Sequence, residues 1–277
     1  MKTIGFIGAG SMTEAFLAGM VNGGVYEPKH IYVTNKSNEE RLNHIHQSYG
    51  VNITSNKQSL CKKTNVIILS VKPKGAEGVI RSIKPFITKD HLIISVMAGV
   101  SIEAIEEILG EVPIIRAMPN TSATIRLSAT GLAKGTYTTN EQLQFAQMLF
   151  EAIGMVQIVE EPQLDAVTGL AGSGPAYIYY IVEALEKAAK EMGLDEETAR
   201  NFIVQTLQGA SEMLRQTTKE AAQLRQAVTS PGGTTEAGIS VLESQNVQSA
   251  IVECVKTAEA RSKQLKLAFF EQVRAHS

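Results

Sequence analysis

The chain has 277 residues, of which 44% are hydrophobic and 19% charged, with a formal net charge of −2. That length allows one large domain or two ordinary ones, and the composition supports a full core and argues against disorder. A near-neutral balance without any run of Lys or Arg gives no electrostatic footing for nucleic acid or an anionic membrane.

The chain opens at once on a strand, Thr3-Ile4-Gly5-Phe6-Ile7, with no apolar leader ahead of it. Apolar, β-branched runs predict further strands at 31–34, 51–54, 66–71, 92–96, 114–118, 131–134 and 155–159. Amphipathic stretches between them predict helices at 11–21, 38–47, 74–83, 101–109 and 140–152. Nearly all-apolar strands alternating with helices imply a parallel sheet covered on both faces. The longest apolar run, 66–71, is far shorter than the ~20 residues that span a bilayer.

After Glu160-Glu161-Pro162 the pattern turns helical, with segments at 163–171, 176–192, 195–217, 219–227, 235–243 and 246–266. Pro162 therefore marks a boundary between an α/β domain over 1–161 and an all-α domain over 162–277. Ala176-Tyr177-Ile178-Tyr179-Tyr180-Ile181-Val182 carries no charge, so this helix is apolar on every side. A small helical domain has little room to surround such a helix, which points to a homo-oligomeric interface; a central helix of a compact bundle is the other reading. The five histidines form no i,i+4 pair, and Cys61 and Cys254 stand far apart without metal spacing. No metal site is expected, and two lone thiols suit a reducing cytoplasm.

The first strand runs directly into Gly8-Ala9-Gly10-Ser11-Met12, followed by a helix. In G-x-G-x-x-G turns the first glycine makes the turn tight and the second lets backbone approach a pyrophosphate, which rests on the helix N-terminus. This predicts a Rossmann-type dinucleotide-binding domain. NAD sites usually place Asp or Glu after the second strand, to bind the ribose 2′-hydroxyl. Here that loop reads Asn35-Lys36-Ser37, with a cation and a hydroxyl but no acid. It should prefer NADP(H), with NAD(H) also accepted. The loops Ser70-Val71-Lys72-Pro73, Met97-Ala98-Gly99 and Met118-Pro119-Asn120-Thr121 follow apolar strands and should line the same crevice. Lys72 fits a cofactor contact, a proton donor or a helix N-terminal residue. Pro73 stiffens the turn and favours the first.

Two glycine-rich segments interrupt the helical half: 169–177, containing Gly172-Ser173-Gly174-Pro175, and Val228-Thr229-Ser230-Pro231-Gly232-Gly233-Thr234-Thr235. The second offers unpaired N–H groups and hydroxyls at a helix start, an arrangement suited to a carboxylate. A plain helix–helix connection is the alternative.

Taken in order, Phe6-Ile7-Gly8-Ala9-Gly10-Ser11-Met12, Val71-Lys72-Pro73, Met118-Pro119-Asn120-Thr121, Gly172-Ser173-Gly174-Pro175-Ala176-Tyr177 and Ser230-Pro231-Gly232-Gly233-Thr234-Thr235 resemble the pyrroline-5-carboxylate reductases. The resemblance runs from residue 3 to about 265, and Ser-Pro-Gly-Gly-x-Thr is its most diagnostic part. It implies NAD(P)H-dependent reduction of the C=N bond of Δ1-pyrroline-5-carboxylate to L-proline, the last step of proline biosynthesis. It also implies a helical C-terminal domain that interlocks two subunits, in a homodimer or a larger ring such as a decamer. By the same resemblance, Ser230 and Gly232, Gly233, Thr234 and Thr235 hold the substrate carboxylate, Thr235 meets the ring nitrogen, Glu161 lies near the substrate, and Asn56 lies near the cofactor's adenosine side.

A cyclic imine is already electrophilic, so placing it against the nicotinamide accounts for most of the catalysis. A carbonyl reductase has greater need of a strong proton donor. Two departures stand out. Thr13 replaces the usual Ala or Gly, which should shift helix packing or the cofactor's pose slightly. Gln226-Ala227 replaces a polar pair, which removes one side-chain contact to ligand. A hydroxy-acid dehydrogenase would need a lysine early in the helical half, but Lys187 and Lys190 come late in a long helix. A regulatory paralogue that binds NADP(H) without turnover is the third reading.

Overall fold

The computed structural model describes residues 2–276. Eight strands form one sheet in the order β3-β2-β1-β4-β5-β6-β7-β8. They are β1 (Ile4–Ile7), β2 (Ile31–Thr34), β3 (Asn52–Ile53), β4 (Val66–Leu69), β5 (Leu92–Ser95), β6 (Ile114–Met118), β7 (Ser128–Lys134) and β8 (Gly154–Ile158). The first six run parallel. β7 lies antiparallel to β6, and β8 parallel to β7. The expected all-parallel sheet is corrected at this edge. Residues 119–127, built on a 3-10 turn at Thr121–Ile125 closed by Arg126 at φ 62°, join β6 to β7. So short a link reverses the chain, whereas a parallel pair needs a crossover of a dozen residues or more.

The helices of this half are α1 (Ser11–Leu17, continued by a π-turn over Ala18–Asn22), α2 (Glu39–Tyr49), α3 (Lys57–Lys63), α4 (Ala76–Ile83), α5 (Ile102–Leu109) and α6 (Asn140–Glu151). α3 was not expected from the sequence, because only Leu60 and Cys61 of its seven residues are buried and Asn56 starts it as N-cap. Central strands are nearly all apolar because both sheet faces are covered, with Ser95 of β5 and Arg116 of β6 as buried polar exceptions. Ile4, Phe6, Val66, Ile68 and Ile94 pack on one face with Phe16 and Phe150 of α1 and α6. Ile67, Leu69 and Ile93 pack on the other with Ile80 and Ile105 of α4 and α5.

The remaining helices are α7 (Leu164–Val167), α8 (Gly174–Glu191), α9 (Glu196–Gln216), α10 (Ala221–Ala227), α11 (Thr234–Ser244) and α12 (Val247–Ala275). By compactness the chain forms two units, one of residues 1–175 with 256–277 and one of 176–255. The change of pattern at Pro162 marks the end of the sheet, and the compact units divide later, at Pro175. The last helix runs to Ala275, past the expected end at 266, because Phe269 and Val273 share one face and are buried among Ile80 and Ile105. Within the second unit only Ala189 and Ala199 are buried. Its apolar side chains lie open, with Tyr180 75% and Phe202 66% exposed. Among the described residues no helix is long and apolar enough to cross a membrane.

Candidate active site

The order of the strands places the switch point between β1 and β4, where loops after neighbouring strands diverge and a ligand can enter. The glycine turn lies there. Gly8 has φ +117°, and a Cβ on it would stand 2.1 Å from the Ser70 carbonyl oxygen. Any larger residue would force β1 and β4 apart. The Gly8 N–H donates to the Thr34 carbonyl at 2.9 Å, tying the turn to the end of β2. Gly10 is the N-cap of α1, and a Cβ there would meet nothing within 4 Å. The first ladder bond of α1 runs from Glu14 N–H to Gly10 C=O, so the N–H groups of Ser11, Met12 and Thr13 lie at the helix end. Open space beside such a helix start fits a dinucleotide pyrophosphate.

Thr13, the departure in the motif, is fully buried, and its Oγ1 donates to the Gly8 carbonyl at 2.8 Å. The hydroxyl that replaces a small residue is therefore satisfied and braces the turn. After β2, Asn35 and Asn38 close a tight loop, with Asn35 Nδ2 donating to the Asn38 carbonyl at 2.7 Å. Asn38 in turn caps α2. Lys36 and Ser37 are left exposed at the tip. Asn56 caps α3 through its side-chain oxygen at 3.1 Å from Ser59 N.

The other loops expected to line the crevice are held as follows. Ser70 N–H donates to the Ile7 carbonyl at 2.9 Å. Lys72 and Pro73 start a 3-10 turn, with Val71 half-buried and Lys72 exposed. Gly99 has φ +70° and backs onto Leu265 of α12, while Ala98 is half-buried. Asn120 Nδ2 donates to the Ala171 carbonyl at 3.1 Å, joining the loop after β6 to the glycine-rich segment before α8.

Glu161 opens a 3-10 turn after β8. Its Oε1 accepts from Ile102 N–H at 2.7 Å and from Arg116 Nη1 at 3.3 Å. Behind it, Asp165 is fully buried and accepts from Ser262 Oγ at 2.8 Å and Lys266 Nζ at 2.5 Å, with Arg116 Nη2 3.9 Å away. This charged cluster, unforeseen from the sequence, fastens α12 to the sheet.

Glu14 and Arg41 are a second unforeseen pair. Arg41 Nε donates to the Ala9 carbonyl at 2.8 Å and Nη2 donates to Glu14 Oε2 at 2.5 Å. His44 Nε2 lies 3.3 Å from the other carboxylate oxygen. The hydrogen bond from Arg41 is the main cause that holds the Glu14 carboxyl below its ordinary range. The sequence cue was an arginine three residues after the N-cap of α2, on the helix that follows the β2 loop.

In the second unit, Gly233 is the N-cap of α11 and Gly232 has φ +69°. A Cβ on Gly233 would lie 2.6 Å from Ser230 Oγ, so a larger residue there would push that hydroxyl aside. The Gly232 N–H donates to the Glu236 carboxylate at 2.8 Å. Ser230 and Thr234 are exposed and Thr235 half-buried.

A glycine turn at the switch point of a doubly wound sheet, followed by a helical unit, defines a dinucleotide-binding protein of the two-domain oxidoreductase class. Residues 3–99 match the family model for NADP oxidoreductase, coenzyme F420-dependent, and residues 161–265 match that for pyrroline-5-carboxylate reductase dimerisation. Pyrroline-5-carboxylate reductase 2 of Bacillus subtilis is 48% identical over 97% of both chains. The Arabidopsis thaliana pyrroline-5-carboxylate reductase is 38% identical over 95% of both. A solved pyrroline-5-carboxylate reductase from Coxiella burnetii superposes with a TM-score of 0.88 at 39% identity, covering 95% of this chain and 98% of that one. The Plasmodium falciparum pyrroline carboxylate reductase, solved with NADP bound, also reaches 0.88, at 27% identity over 96% and 98%. The chain belongs to the pyrroline-5-carboxylate reductase family, with the dinucleotide-binding half and the dimerisation domain of that family both present.

Proposed function

We propose that the protein reduces Δ1-pyrroline-5-carboxylate to L-proline, with NADP(H) as the preferred cofactor and NAD(H) as a second one. The reduced dinucleotide, when bound, supplies the hydride that the imine carbon takes up and leaves as NAD(P)+. Gly8, Ala9, Gly10, Ser11 and Met12 hold its pyrophosphate, Asn35, Lys36, Ser37 and Asn56 its adenosine half, and Ser70 to Pro73, Ala98, Gly99 and Asn120 the remainder. Ser230 and Gly232 to Thr235 seat the substrate carboxylate. Thr235 orients the ring nitrogen and passes it a proton, and Glu161 stands on the substrate side.

The observation that carries this reading is that the chain belongs to the pyrroline-5-carboxylate reductase family over its whole length, with the dimerisation segment at 161–265 present. Ser230 and Thr234 present exposed hydroxyls at the start of α11, and a substrate carboxylate would replace that of Glu236 on the Gly232 N–H. The acid-free tip at Lys36 and Ser37 supports the preference for a 2′-phosphate. The open apolar surface of residues 176–255 supports assembly as a homodimer or rings of dimers. The reading includes a cytoplasmic protein without nucleic-acid or membrane partners, supported by the net charge of −2 and by two unpaired thiols, one buried and one exposed.

The test follows NADPH absorbance with the imine, repeats it with NADH, and then offers a hydroxy acid with NADP+. Faster loss of NADPH than NADH with the imine is the expected result. Turnover of the hydroxy acid alone, or NADPH binding without oxidation by any imine, overturns the assignment. Sedimentation of the active enzyme should read a dimer or a multiple of one, and a stable active monomer would refute the assembly.

A further inference from the structure

We propose that Glu14 and Arg41 set the dinucleotide preference of this chain: Arg41 is a second cation, beside Lys36, for a ribose 2′-phosphate, and Glu14 is the acid that restrains Arg41 when no phosphate is present. The inference rests on the cofactor reading above and adds to it two residues that none of the sequence motifs contains.

The loop after β2 holds no acid, yet a carboxylate reaches the same region from α1. Arg41, in the first turn of α2, bonds the Ala9 carbonyl through Nε at 2.8 Å and Glu14 through Nη2 at 2.5 Å. Its guanidinium thus runs from the helix that follows the ribose loop to the turn that follows β1. Between those two loops this fold places an adenosine ribose. The side chains are 28% and 30% exposed, open enough for a ligand to reach and covered enough for their charge to count. His44 Nε2 lies 3.3 Å from Glu14 Oε1, whereas Arg41 binds Oε2, so the two bases engage different oxygens of the carboxylate.

A phosphate dianion presents paired oxygens to the planar guanidinium fork and competes directly with the Glu14 carboxylate. An uncharged 2′-hydroxyl does not compete, so the pair stays closed when NAD(H) binds. Glu14 therefore weakens NADP(H) binding by the cost of opening the pair and leaves NAD(H) untouched. The effect is to bring the two affinities closer together than Lys36 alone would. If Arg41 merely propped the glycine turn through Ala9, its loss would weaken both dinucleotides alike, because they share the pyrophosphate.

The experiment is calorimetric titration of NADP+ and NAD+ into the full-length oligomer, for wild type, Glu14→Gln, Arg41→Gln and Arg41→Lys, with thermal unfolding of each apo protein to confirm the fold. Glu14→Gln should tighten NADP+ roughly tenfold, one charge-assisted contact, and leave NAD+ unchanged. Arg41→Gln should weaken NADP+ by a similar factor, with NAD+ again unchanged, and Arg41→Lys should recover part of the loss. Equal shifts for the two dinucleotides, or an unmoved ratio in Glu14→Gln, overturn the inference while leaving the cofactor site standing. A wild type that binds neither dinucleotide overturns both.

Discussion

Asp165→Ala should destabilise the dinucleotide-binding unit severely, and the loss should start at the end of the chain. Asp165 is fully buried between Arg116, itself fully buried, and Lys266 of α12. It accepts two hydrogen bonds, from Ser262 at 2.8 Å and Lys266 at 2.5 Å. Arg116 already has Nε and Nη2 buried without a hydrogen-bond partner, so Asp165 and Glu161 are the anions that compensate its charge. Removing one partner of a buried charge cluster typically costs ~3–5 kcal/mol, and here it leaves buried Arg116 with Glu161 as its remaining anion and no access to water. For a chain of this size that corresponds to a fall in melting temperature on the order of 10 °C. The assay is differential scanning calorimetry at fixed protein concentration, with limited proteolysis to find where the chain opens first. Cleavage should move into the last two turns of α12, where Phe269 and Val273 lose their hold on the sheet face. A loss below ~1 kcal/mol, the usual worth of a surface pair, would refute the account and recast Asp165 as an incidental neighbour.

Lys36→Glu should raise the Michaelis constant for NADPH much more than that for NADH, measured by initial rates with both; equal changes would remove the tip of the β2 loop from cofactor selection. Thr235→Ala should lower turnover far more than it lowers NADPH affinity, read by comparing kcat with direct binding; an unchanged rate excludes Thr235 from proton handling. Glu106→Gln should stabilise the protein near pH 7, since it removes the charge from a carboxylate whose Oε1 is buried without a hydrogen-bond partner. Burial, followed by the charges of Glu161 and Glu103, raises the Glu106 carboxyl. An acid with a raised folded pKa loses stability as pH climbs from the ordinary carboxyl value through the raised one. The gain of the variant should therefore vanish below about pH 4 and be complete above the raised value. A gain of equal size at pH 4 and pH 7 would sink that cause.

Much of the molecule follows from local demands that a sequence displays. The ends of β2 and β6 fall at the expected residues, 31–34 and 114–118, because apolar strands stop where polar loops begin. Gly8 was legible because one turn needs both a positive φ and a missing Cβ, and only glycine meets both. The reversed β7 was not legible, since an apolar run has no direction and the reversal lies in five ordinary residues of a 3-10 turn. α3 escaped because two buried side chains are too few to show a period. The charged pairs escaped for another reason: Arg41 and Glu14 are 27 positions apart, and Lys266 and Asp165 are 101. No local pattern links such residues; only the packed fold does.

The uncharged stretch at 176–182 predicted a helix that needs cover on every side, and the second unit gives that need a larger cause. A folded unit of 80 residues with two buried alanines has not removed enough apolar surface from water to offset the entropy of ordering its chain. Its helices are well formed, so the missing burial has to come from outside the unit. Residues 161–265 match a dimerisation family, which supports a second copy as the source. If residues 176–255 share their core with a second copy, a substitution such as Phe202→Asp should act on assembly, read by sedimentation, before it acts on the fold of the sheet.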